Sequence, residues 1–169
     1  MQPHLVDLIE RVRRRLDEIE RRCVVPGPAS EPAIAAAEAE LGASFPPSYR
    51  AFVGRYGALG LPADLAVVHD FCGLAAPDRA TDVVHATLDA RAANQLADRL
   101  IVVGKGADAA EWFCLDTGRA TDDGECPVVL YDPATNEVDQ VFYVDFGAMV
   151  REVLEFVEDT LRDDGAARD

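Results

Sequence analysis

The chain has 169 residues, 49% hydrophobic and 28% charged, enough for one domain with a real core and too ordinary in composition for a disordered or collagen-like polymer. Its longest stretch without Asp, Glu, Lys or Arg is Leu41 to Tyr49, nine residues, whereas a membrane-spanning helix needs roughly 20 apolar ones. Net charge is −15, and residues 100–169 carry 17 acidic against 5 basic groups. That field repels phosphate backbones, which argues against direct nucleic-acid binding and for a basic protein partner, although acidity also serves solubility by itself.

From the N-terminus, Leu5, Leu8, Ile9, Val12, Leu16 and Ile19 recur at helical spacing behind Pro3. The pattern predicts an amphipathic helix over residues 3–22, with a solvated face of arginines interleaved with Asp17, Glu18 and Glu20. Asp7 and Glu10 break the apolar run that an export signal would need, so a cytoplasmic location is expected. Pro26, Gly27 and Pro28 end the helical pattern and read as a linker.

Ser30 as cap, Pro32 early, the stripe Ile34, Ala37, Leu41 and the stop at Gly42 predict a short helix. After Pro46 and Pro47, the residues Tyr49, Phe52, Val53 and Tyr56 fall at i, i+3, i+4 and i+7 before Gly57. They predict a second short helix packed by aromatics. Residues 58–80 read as loop with one short strand at Leu65 to Val68, and Thr81 to Leu96 as a helix capped by Thr81.

From Leu100 the hydrophobic period changes. Leu100 to Val103, Glu111 to Asp116, Val128 to Tyr131 and Val141 to Val144 are short runs rich in Val and aromatic residues, separated by turn formers, and they describe an antiparallel meander. Asp145 then caps a last helix with the stripe Phe146, Met149, Val150, Val153, Phe156, Val157 and Leu161, followed by a polar tail, 163–169. The fold class expected is α+β: a mostly antiparallel sheet of about 4–6 strands with helices packed around it, preceded by an N-terminal helical extension. The parts are 1–29, helix and linker; 30–162, the domain; and 163–169, the tail.

The passage from Glu31-Pro32-Ala33-Ile34 through Glu38, Leu41-Gly42, Phe45-Pro46, Tyr49, Phe52 and Tyr56-Gly57 resembles the opening of the SUKH superfamily in its cell-wall-assembly-regulator-like branch. Leu100 to Gly104, Trp112 to Asp116, Glu125 to Val129, Tyr131-Asp132 and the helix from Phe146 fit its later elements. One departure is Gly57-Ala58-Leu59, where the family often has an Asn-Gly-Gly turn. The resemblance implies a non-enzymatic binding module, in bacteria commonly an immunity protein that neutralises a toxin. An intracellular regulatory or scaffold adaptor is the alternative. Nuclease toxins carry basic clefts, so the acidic charge of this chain fits such a partner.

No catalytic constellation is legible. His4, His69 and His85 are the only histidines, and Ser30, Ser44 and Ser48, the only serines, all stand near helix starts, where capping explains them. Gly104-Lys105-Gly106 lacks the spacer and the following Ser or Thr of a phosphate loop and reads as a strand-end turn. Asp122-Asp123-Gly124-Glu125 lacks the ligand alternation of a calcium loop and reads as a hairpin turn. Cys23, Cys72, Cys114 and Cys126 form no Cys-x-x-Cys pair, so reduced, mostly buried thiols are expected. No metal and no cofactor is expected. The partner-binding candidates are carboxylates in turns, taken to be free of core duties: Asp122, Asp123, Glu125, Glu137 and Asp139.

Overall fold

Pro3 opens the first helix, α1 (Pro3–Glu18), in the computed structural model of the chain, which describes residues 2–94, 96–106 and 112–166. The helix stops four residues earlier than its apolar spacing suggests. Glu20 takes a left-handed backbone, φ 55°, and the Arg21 N–H donates to the Leu16 carbonyl at 2.8 Å. This is the closing bond of a Schellman stop made without glycine. Leu5, Leu8, Ile9, Val12 and Leu16 are all buried. An extension in sequence, α1 is not one in space, because it packs along the last helix and shares its core.

The next two helices form where their punctuation marks them. In α2 (Glu31–Leu41) the Ser30 hydroxyl accepts the Ala33 N–H at 3.3 Å, and Gly42 ends the helix. In α3 (Pro47–Tyr56), Tyr49, Phe52, Val53 and Tyr56 are buried. Phe52 lies at the centre of an aromatic cluster, with ring centroids 5.0 Å from Phe146, 5.9 Å from Tyr56 and 6.4 Å from both Tyr49 and Phe71. The Tyr49 hydroxyl donates to the Cys72 carbonyl at 2.9 Å, so its burial leaves no donor unpaired. Arg50 ties the two helices together by reaching Glu31 and Glu38 of α2.

Behind α3 the chain makes its tightest approach. Gly57 has φ 74° and ψ −63°, positive in φ as a helix stop requires but outside the left-handed helical basin. Its carbonyl accepts the Leu74 N–H at 2.9 Å. Gly73 lies so close beneath it that a Cβ there would sit 1.8 Å from the Gly57 oxygen.

Among the described residues, six strands form one sheet in the order β1-β2-β3-β4-β5-β6, every neighbouring pair antiparallel. They are β1 (Leu59–Gly60), β2 (Val68–Phe71), β3 (Leu100–Gly106), β4 (Trp112–Asp116), β5 (Val128–Asp132) and β6 (Glu137–Tyr143). The expected meander is there, extended at its start by two strands. The apolar patch at 65–68 is not itself a strand: pairing begins at Val68, and Val67 points into solvent. Glu111, expected to open β4, lies outside the described residues. Gly104-Lys105-Gly106 is not a turn but the end of β3, where Lys105 pairs with Asp70 on one side and Trp112 on the other. Both faces of the sheet are covered at β3, where the consecutive residues Leu100 to Val103 are all fully buried.

Between β2 and β3 runs α4 (Val83–Asn94). Its cap is Asp82 and not Thr81: the Asp82 carboxylate accepts the N–H groups of Val84 and His85, while the Thr81 hydroxyl donates to the Asp78 carbonyl. The carboxylate at position 82 stands at the cap and reaches two orphan donors of the first turn, which a threonine one residue earlier does not. Thr87 of α4, fully buried, accepts the Val102 N–H at 3.0 Å and so fastens α4 to β3. The final helix, α5 (Phe146–Ala166), starts at its expected cap, with the Ala148 N–H donating to Asp145 at 2.7 Å. It runs to Ala166, so the first part of the expected polar tail is helical, and residues 167–169 lie outside the described part.

Candidate protein-binding site

Two helix N-termini, those of α3 and α5, open onto one surface cleft of about 490 Å³ lined by Ser48, Asp123, Glu125, Val144, Asp145 and Arg151 among others. The sequence explains why a carboxylate is needed beside each. Pro46, at the N-cap of α3, has no side chain that can accept a hydrogen bond. Glu125, 77 residues beyond Ser48, takes that role: its Oε1 accepts the Ser48 N–H at 2.8 Å and its Oε2 accepts the Ser48 hydroxyl at 2.6 Å. Asp145 does the same for α5. Each anion sits at the positive end of a helix, where charge-assisted bonds and the helix dipole both favour it.

This corrects the expectation that Glu125 is free of structural duty. It is half-buried and holds the 121–125 turn against α3. Glu125→Ala is expected to cost about 0.5–2 kcal/mol, the usual range for a lost N-cap. A urea melt reads that loss, and a midpoint equal to wild type would show that the clamp on Ser48 contributes nothing.

The turn itself is built as its sequence suggests. Gly124 has φ 81°, the Gly124 N–H donates to the Thr121 carbonyl at 2.9 Å, and Asp123 accepts both the Thr121 hydroxyl and the Glu125 N–H. The Thr121 hydroxyl, and then the Glu125 backbone, hold the Asp123 carboxyl below its ordinary range. Asp123 and its neighbour Asp122 are exposed, as is Glu137 at the start of β6. The Asp139 side chain lies outside the described residues. Asp122, Asp123 and Glu125 therefore share the cleft's turn, while Glu137 stands apart on the edge strand.

The residues that sequence reasoning missed are apolar. Val141 and Phe142 at the end of β6, with Val144 just past it, are 40%, 46% and 71% exposed, and Phe156 on α5 is 60% exposed. The run Val141 to Val144 reads as a core strand, but β6 is bulged twice against β5, once between the partners of Val128 and Val129 and once between those of Val129 and Tyr131. Bulges break the alternation of faces, so neighbours in sequence both reach solvent. Phe156 adjoins Val157 in sequence and so reads as part of the buried stripe. At 100° per residue it falls on the flank of the helix beside Glu152, and that offset is the signal that could have placed it.

The chemistry available elsewhere is muted. The Ser48 hydroxyl is committed to Glu125. His85 contacts Asp82 at 2.8 Å as part of the α4 cap region. Burial pushes the Cys23 thiol up to about 11 and the Cys72 thiol up to about 12, and raises Cys114 and Cys126 as well, which keeps them protonated at neutral pH. Lys105 donates to the Ala80 carbonyl at 2.6 Å and lies 6.0 Å from the Trp112 ring centroid, a structural tether across the sheet end. Among the described residues, no helix is long and apolar enough to cross a membrane.

A family model described as SMI1-KNR4 cell-wall, of the SUKH group, matches residues 5–155. The match takes in α1 as well as the sheet and most of α5, in keeping with the shared core of these elements. With the helices of the Glu31 to Gly57 passage, the antiparallel sheet and the closing helix all in place, the chain belongs to the SMI1-KNR4 family of SUKH domains.

Proposed function

We propose that this chain is a non-enzymatic binding protein, a bacterial immunity protein that neutralises a cognate toxin by direct protein–protein contact in the cytoplasm. A nuclease toxin fits the charge best. The observation that carries the reading is the acid itself: residues 100–169 hold 17 of the 31 carboxylates, and Asp122 and Asp123 in the turn beside the cleft and Glu137 on β6 are exposed. The family supports it, because SUKH domains include immunity proteins. A basic nucleic-acid cleft would be attracted to this surface over a Debye length, and exposed carboxylates act chiefly on that encounter.

The test is the rate of association with the product of the neighbouring gene, the proposed toxin, measured at low and high ionic strength. Asp122→Lys with Asp123→Lys is expected to slow association about tenfold at low salt while changing dissociation little, with the difference shrinking at high salt. Asp122 is exposed, and its part of the variant should change stability by no more than about 0.5 kcal/mol. Losing the bonds that Asp123 accepts from the Thr121 hydroxyl and the Glu125 N–H should lower stability further, which a urea melt of the variant reads. Glu125 is left out of this variant because of its bond to Ser48. Association that ignores both the substitutions and the salt would remove the turn from the interface.

A further inference from the structure

We propose that the flank formed by the bulged edge strand β6 and the outer side of α5, centred on Phe142 and Phe156, is the anchoring surface for a basic protein partner that presents an apolar side chain ringed by Lys or Arg. This rests on the functional reading above and adds to it the surface and the chemistry of the contact.

Three large apolar side chains are exposed on these two elements, Val141, Phe142 and Phe156, and Val144 is exposed in the link between them. Single exposed residues are ordinary, and Val67, exposed beside β2, is one of them, whereas a group on adjoining elements marks a contact surface. Phe142 is held in place: its ring meets Phe113 edge-on at 5.6 Å and Tyr143 at 5.3 Å. A ring already fixed in this way loses little freedom when a partner covers it, the condition for a strong anchor.

The two elements face the same way. α5 packs against β6. The Met149 methyl of α5 and the Phe113 Cβ both border the Cβ position of Gly104, so Phe113, against which Phe142 packs, lies on the sheet face that α5 covers. Phe156 lies on the same helix, one turn beyond the exposed Glu152. The opposite flank is occupied, because Glu158 is bonded to Arg11 of α1 at 2.9 Å.

Charge selects the occupant. The exposed charged residues around Phe156 are Arg151, Glu152, Glu155, Asp159, Arg162 and Asp163, and Arg162 is already spent on Glu158 and Asp159. Glu137 adds to the acids on β6. A second copy of this chain, related by a two-fold axis, would set this acidic rim against itself and bring together two proteins of charge −15. An added β-strand is opposed as well, because the two bulges of β6 disrupt a regular ladder on its free edge. A basic partner with an apolar anchor satisfies both parts of the surface.

The experiment pans a displayed library of random 15-residue peptides on the intact chain at low ionic strength. Enriched peptides should be rich in Lys and Arg with an aromatic or Leu anchor, and Phe142→Ser or Phe156→Ser should each weaken their binding about tenfold, while Val67→Ser leaves it unchanged. Phe156→Ser is the safer variant, because that ring is mostly in solvent and its loss should leave the melting curve intact. The proposal is overturned if no peptide is enriched, if the enriched ones lack basic residues, or if Phe156→Ser binds them as wild type does. Sedimentation showing a dimer that Phe156→Ser dissociates would assign the surface to a second copy and overturn it too. The toxin reading fails separately, if the product of the neighbouring gene does not bind the wild-type chain. If that product binds wild type and Phe156→Ser equally, only the surface assigned here falls.

Discussion

Phe52→Ala is expected to lower the free energy of unfolding by about 3–5 kcal/mol, the range for truncating a fully buried aromatic. The site has no means of absorbing the loss. Phe52 is completely buried, its ring lies within 6.4 Å of Tyr49, Tyr56, Phe71 and Phe146, and these four come from α3, β2 and α5. Each neighbour is fixed by its own element: Tyr49 by its bond to the Cys72 carbonyl, and Phe146 by the Asp145 cap that begins α5. The cavity would therefore stay open instead of collapsing. A helix of ten residues such as α3 also has little stability of its own, so losing its central contact loosens the whole element. Chemical denaturation measures the change, and an unaltered midpoint would mean that the aromatic cluster is not what holds α3 to the sheet.

Gly73→Ala should be of similar size, about 3 kcal/mol or more, through crowding instead of a cavity. The added methyl would lie 1.8 Å from the Gly57 carbonyl oxygen and 3.0 Å from the Ala58 Cα. Both are backbone atoms, so no rotamer change can relieve the overlap. Gly57 cannot retreat either, because its own Cβ position would meet the Gly27 oxygen at 2.3 Å, and its carbonyl is bonded to the Leu74 N–H. Three segments, the linker after α1, the end of α3 and the end of β2, are thus stacked through glycine. Gly54→Ala is the matched control: it sits in the interior of α3 with only the Ile34 Cδ1 within reach, at 3.7 Å, an ordinary contact. A thermal midpoint for Gly73→Ala equal to that of Gly54→Ala would refute the close-packing argument.

These two sites also show what a reader of the sequence could see. The stripe Tyr49, Phe52, Val53, Tyr56 was legible because local periodicity and the flanking Pro47 and Gly57 agree on one helix. The meander was legible from Leu100 onward for the same reason: strand-rich runs alternate with turn formers. The Gly57–Gly73 contact was not, since no local pattern tells that two glycines 16 residues apart will meet. The end of α1 was hidden because Glu20 adopts the left-handed conformation usually signalled by Gly or Asn. β1 has only two residues and offers no alternation to count.

The proposed binding surface was legible in its charge and illegible in its detail. Composition revealed the acidic half, and turn chemistry found Asp122 and Asp123 in an exposed loop. Glu125 looks identical to them in sequence, yet tertiary structure turns it toward Ser48, because Pro46 leaves α3 without a cap of its own. The run Val141 to Val144 is legible as a strand, but which of its side chains face solvent is not, because period-two alternation assumes an unbroken register, which the bulges of β6 remove.

The central claim is that this chain acts by occupying a partner and not by turning over a substrate. The most direct measurement titrates it into the purified product of the neighbouring gene, the proposed toxin, while following that protein's own activity. The account predicts a saturable complex, with activity falling linearly to zero at a fixed molar ratio and returning when the complex is separated. Loss of toxin activity at far below one equivalent, or full activity in the presence of excess chain, would contradict it.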